Sequence, residues 1–107
     1  MSELTKFEEQ ILLSVWKLGD NAYGTTISKH IHEITGKKLS LGGVYFPLDR
    51  LVKNGFLTSR LSESTPERGG RRKRIYRLTP EGFEALEKAR DVQVRMWEHM
   101  PGELKES

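Results

Sequence analysis

The stretch SLGGVYFPLDRLVKNGF, residues 40–56, decides the fold. Ser40 is a good N-cap, Val44, Leu48, Leu51 and Val52 return at helical spacing, and Gly55 ends the run, so a helix is predicted from just after Ser40 to Gly55. Working back, Ile27, Ile31 and Ile34 form a second apolar line closed by Gly36. Before it, Leu4, Phe7, Ile11, Val15 and Leu18 mark one face of a first helix, opened by the Thr5/Glu8 capping-box pair and stopped by Gly19. Working forward, residues 56–61 and 74–79 read as two strands around the polar, turn-rich residues 62–73. Thr79-Pro80 then opens a last helix that can run to about His99, roughly 30 Å. The expected fold is mainly α with a small antiparallel hairpin: a winged helix-turn-helix over residues 1–79, one long C-terminal dimerisation helix over 80–100, and a flexible tail over 101–107.

Composition narrows the function. At 107 residues one core is expected, and 31% charged residues against 36% hydrophobic ones suit a domain with an extensive solvated surface. With no cysteine there is neither a disulfide framework nor a thiolate metal site. No apolar run is long enough for a membrane span and no basic leader is visible, so no membrane association and a cytoplasmic location are expected. The net charge of +3 is unevenly spread: residues 60–79 carry seven bases and two acids, whereas residues 80–107 carry four bases and seven acids. Nothing resembles a nucleophile motif, a paired-carboxylate site or a phosphate loop, which argues against an enzyme. His30 and His32 point to different helix faces and His99 stands apart, so neither a metal nor a cofactor is expected.

Three short helices followed by a basic hairpin describe a domain whose third helix enters the major groove of double-stranded DNA while the wing follows the phosphates. Arg68, Arg71, Arg72, Lys73 and Arg74 surround Gly69 and Gly70, five bases in seven residues with no acid between them. That pattern suits phosphate contact through guanidinium groups and exposed backbone amides. On the third helix Ser40, Leu41, Gly42 and Tyr45 lie at its start and Arg50 further along. Tyr45 has two open roles, half-buried packing or contact with DNA. Ser28 and Lys29 on the second helix and Lys38 in the following turn are candidates to steady the docked domain.

Ser40 to Tyr45, then Leu48, Arg50, Leu51 and Gly55-Phe56, resemble the recognition-helix signature of the PadR family. Residues 69–73 and 76–82, with Tyr23-Gly24 and Leu4-Thr5, resemble that family's wing and helix starts, and the likeness spans about residues 4–100. It implies a DNA-binding regulator, a tyrosine at position 45 that contacts DNA, and repression. It also implies that a planar drug can bind between tryptophans of the last helix. Two positions depart from the pattern: Gly43 stands where the family has threonine, and Phe46 where it has proline, which is postponed to Pro47. Proline inside a helix removes one hydrogen bond and presses on the carbonyl four residues back, here that of Gly43. A bend or loosening between Gly43 and Pro47 is therefore expected.

The last helix carries apolar residues over more than one narrow stripe, among them Phe83, Leu86, Val94, Met96, Trp97 and Met100. Three short helices cannot cover so broad a surface, so a homodimer is expected, with a planar apolar effector as a candidate ligand at its seam. Packing alone is the other reading of the same side chains. Two rival functions share the fold: a winged-helix protein-interaction module meeting an acidic partner, and an RNA-binding winged domain.

Overall fold

A computed structural model describes residues 3–63 and 72–103. The elements run α1 (Lys6–Leu18), a 3₁₀ turn (Gly19–Asn21), α2 (Gly24–Thr35), α3 (Leu41–Lys53), β1 (Leu57–Leu61), β2 (Arg74–Leu78) and α4 (Pro80–Trp97). Each helix begins where its cap dictates. The Thr5 hydroxyl accepts from the Glu8 amide at 3.1 Å while the Glu8 carboxylate accepts from the Thr5 amide at 2.8 Å. Ser40 accepts from the Gly43 amide and Thr79 from the Gly82 amide, both at 3.0 Å. α1 ends at Gly19 and α2 at Gly36, which takes the left-handed conformation at φ 77°.

The core is one cluster. Ile11, Leu12 and Val15 of α1 meet Ile27 and Ile31 of α2, Val44, Leu48 and Leu51 of α3, then Leu57 and Tyr76 of the hairpin. β1 and β2 pair antiparallel with Leu57 opposite Leu78 and Ser59 opposite Tyr76. On the other edge of β2 the Tyr76 amide donates to the Ala22 carbonyl at 2.8 Å, so the hairpin is tied to the turn before α2. Alternation then puts Leu57 and Tyr76 inward and Thr58, Arg60 and Arg77 outward.

The start of α4 is fastened to the end of α3. The Thr79 hydroxyl donates to the Gly55 carbonyl at 2.6 Å and the Thr79 amide to the Phe56 carbonyl at 3.1 Å. Gly82 lies so close to that same Phe56 carbonyl that any side chain here would collide with it. Beyond Leu86, which packs against the core, α4 leaves the domain: Val92, Val94, Met96, Trp97 and Met100 are all more than half exposed.

Three expectations need correction. Ile34 does not point inward with Ile27 and Ile31; it is 66% exposed. It borders a shallow hollow between α1 and α2 with Leu13 and Ser14, which no described element covers. The strands are each one residue shorter than expected, because Phe56 and Thr79 spend their backbone groups joining α3 to α4, and α4 stops at Trp97. Finally, α3 remains helical from Leu41 to Lys53, so the loosening expected at Pro47 is absent. The proline ring is buried on the core face beside Val44, Leu48 and Leu51, so apolar burial offsets the one backbone bond its missing N–H removes. The expected tip of the wing, with Arg68, Gly69, Gly70 and Arg71, and the last residues of the tail, 104–107, lie outside the described residues.

Candidate nucleic-acid interface

The buried side of α3 is set by Val44, Pro47, Leu48 and Leu51, which leaves the opposite side to solvent. Gly42, Phe46, Asp49 and Lys53 follow one another at three- and four-residue spacing along that outward side, and all four are exposed. Phe46 is 72% exposed, more than any other apolar residue of α3. Ser40 and Leu41 lie at the exposed entrance of the helix.

Tyr45 sits to one flank, 40% exposed, with its ring over the first turn of α2. A Cβ on Gly24 would lie 2.5 Å from both Cζ and the hydroxyl oxygen of Tyr45, so only glycine admits the ring at this place. Packing and outward display are thus both realised by the same tyrosine. Arg50 falls to the other flank, its Nε 3.6 Å from Oε2 of Glu8, a carboxylate already engaged in the α1 cap. That pair ties α3 to α1 and draws the guanidinium away from the outward side.

The wing root converges on the same region. Lys73 places its ammonium 4.1 Å from the centroid of the Tyr23 ring, just ahead of α2, a cation–π contact across elements. Its backbone closes on Ser62: the Ser62 amide donates to the Lys73 carbonyl at 2.7 Å and the Lys73 amide to the Ser62 hydroxyl at 2.9 Å. Arg74 donates from Nη1 to the Ser59 hydroxyl at 3.1 Å, and Arg72 is exposed. On α2 Ser28 is half-buried and Lys29 exposed; Lys38 is exposed between α2 and α3.

Several residues escaped the sequence reading. Phe46 and Asp49 follow as outward-facing from the inward Val44 and Leu48, but no motif in the sequence marks either as functional. Arg60 and Arg77 share Asp20, with Nη2 to Oδ1 distances of 3.9 and 3.0 Å, on the outer face of the hairpin. No spacing in the sequence announces this trio, because Asp20 belongs to the turn that the bond between Tyr76 and Ala22 ties to the hairpin. Beneath α3 the Tyr76 hydroxyl is buried with no hydrogen-bond partner among the described residues. Burial, and then the Asp49 carboxylate, push its ionisation above the usual tyrosine range against the opposing pull of Arg74.

The histidines are engaged separately: Nδ1 of His30 is 2.8 Å from the Ser14 hydroxyl, and Nδ1 of His32 is 3.2 Å from the Lys37 carbonyl. No group of three or more metal-ligating side chains occurs among the described residues, and no described helix is long and apolar enough to cross a membrane. Of the α4 residues singled out from the sequence, Leu86 faces its own core, whereas Phe83, Val94, Met96, Trp97 and Met100 are turned outward on the single chain.

The geometry has close parallels. A PadR family transcription regulator from Clostridium difficile R20291 is 31% identical, with a TM-score of 0.66 over 86% of this chain and 93% of that one. A transcriptional regulator from Clostridium thermocellum is 30% identical, with a TM-score of 0.67 over 84% and 82% of the two chains. A PadR-like transcription factor from Bacteroides fragilis is 25% identical with a TM-score of 0.70 over the same shares. No curated protein matches the chain. The model of the PadR-like family of transcriptional regulators matches residues 12–88, from the middle of α1 through all of the winged helix and into α4, and the chain therefore belongs to that family as a DNA-binding transcription regulator.

Proposed function

We propose that the protein is a homodimeric repressor that reads a pseudo-palindromic promoter site. Its two recognition helices would lie about one duplex turn, near 34 Å, apart. Residues 1–79 serve as the DNA-binding unit, residues 80–100 join the two chains, and residues 101–107 form the tail. Repression follows from occupancy of the site, in the cytoplasm where promoter DNA lies. A planar apolar compound at the seam near Met96, Trp97 and Met100 relieves it.

The observation that carries this reading is the pairing of two features on one chain. Tyr45 on the flank of α3 lies over the first turn of α2, and the basic wing root reaches the same place through Lys73 on the Tyr23 ring, with Arg72 and Arg74 next to it in sequence. The outer half of α4 presents large apolar side chains that its own chain leaves exposed. The first feature suits a polyanion, and the second suits a second copy of the same helix. Sites on the DNA that we assign are Ser28, Lys29, Lys38, Ser40, Leu41, Gly42, Tyr45, Arg50, Arg68, Gly70, Arg71, Arg72, Lys73 and Arg74. Among these Arg50 has to exchange Glu8 for phosphate.

The test is sedimentation of the purified chain together with titration against genomic duplex fragments at rising salt. A dimer whose affinity falls steeply with ionic strength is expected. A strictly monomeric chain that ignores every duplex at low salt would end the proposal.

A further inference from the structure

Phe46 is the feature that phosphate binding leaves unexplained. It lies midway along the outward side of α3, 72% exposed, with Gly42 one turn before it and Asp49 and Lys53 after it. Gly42 has open space around it, with nothing within 4 Å of where a Cβ would stand. The bare backbone there lets the helix approach a groove floor closely enough for the phenyl ring of Phe46 to touch base edges. A single exposed aromatic is unremarkable on most surfaces, yet this one stands on the outward side of the helix that the DNA-binding reading sets in the groove, with Lys53 two turns further along the same side.

Inside a major groove almost every exposed group is a hydrogen-bond donor or acceptor. The one apolar group displayed there is the C5 methyl of thymine. An apolar ring with no polar atom gains nothing from the rest of the groove and forfeits solvation of the polar edges it covers. We infer that Phe46 is a specificity-determining residue that packs on a thymine methyl in each half-site, making the protein select thymine at one fixed position. This rests on the DNA-binding reading above and adds to it the base that the helix reads.

The experiment replaces single atoms on the DNA. A duplex is selected from a random pool by the full-length protein, and each thymine in it is then exchanged, one at a time, for deoxyuridine, which pairs identically but lacks the methyl. One thymine per half-site is expected at which the exchange weakens binding about fourfold, the value of one methyl removed from an apolar contact. With Phe46→Ala the same exchange should change nothing, whereas Phe46→Leu should keep part of the preference. Since Phe46 is exposed, both variants should melt as the unaltered chain does, which circular dichroism checks. If no thymine methyl matters to the unaltered chain, or if Phe46→Ala retains the full thymine preference, the assignment is wrong even though DNA is bound. If no duplex is selected at all, the DNA-binding reading fails, and this assignment with it.

Discussion

Tyr76 shows how a residue can be placed by sequence and still hold a surprise. Its position in the second strand was legible in the sequence, but the orphaned hydroxyl was not, because no local pattern says which buried oxygen will lack a partner. A buried unpaired hydroxyl costs roughly 1–3 kcal/mol, so Tyr76→Phe, which keeps the ring and drops the oxygen, should stabilise the fold by about 1 kcal/mol at neutral pH. The neutral phenol is favoured in the folded chain, its ionisation lying above the ordinary value of 10.0. The associated stability is therefore fully present below pH 10 and is lost as the pH rises from there towards the raised folded-state value. Denaturant melts at neutral pH and above pH 10 check both points: the variant should lose less than the parent on the alkaline side. A parent that is the more stable of the two at neutral pH would mean the hydroxyl has a partner after all. Phe46 was legible in the same partial way, since its place on the helix follows from Val44 and Leu48 but its weight follows only from its exposure.

Among the elements, helix starts were the most readable, because Thr5, Ser40 and Thr79 each satisfy amides that nothing else nearby can serve. Pro47 was the least readable. Its cost to the backbone is local and visible in the sequence, whereas the burial of its ring depends on where α3 lies against its neighbours. Ile34 failed for a related reason, since helical spacing gives a face but not how far along that face a neighbour extends. The hairpin was placed to within a residue, and its prediction belongs at this scale. Arg72 is exposed and Lys73 is held by the Tyr23 ring, so both cations stand at a fixed root. Replacing both by alanine should weaken binding to every duplex alike and lower the slope of log affinity against log salt by about two per chain. An unaltered slope would take the wing root out of the interface. Melting should fall only modestly, because the exposed Arg72 contributes about 0–1 kcal/mol and the contact of Lys73 with the Tyr23 ring about 0.5–1 kcal/mol.

For the molecule as a whole, the surplus of apolar residues on α4 was legible as a count, and the structure adds where the surplus lies, at Phe83 and on the stretch past Leu86. In the proposed homodimer a second chain would cover it, which neither spacing nor a single fold can draw. The proposed ligand at that seam makes a separable prediction. A planar cationic dye at micromolar concentration should quench tryptophan fluorescence, and Trp97→Phe should abolish most of the effect, while Trp16→Phe should not, Trp16 being on α1. Quenching that survives the loss of Trp97 would place the dye elsewhere.

The fastening of Thr79 to Gly55 and Phe56, with Gly82 pressed on the same carbonyl, leaves no slack between α3 and α4. The two helices behave as a crank and its arm. Over the 18 residues of α4, roughly 27 Å, a turn of about ten degrees displaces the far end by about 5 Å. Where two such arms are clamped together, a wedge driven between them would splay the reading heads by a comparable distance, spoiling their match to the pitch of the duplex without deforming either head.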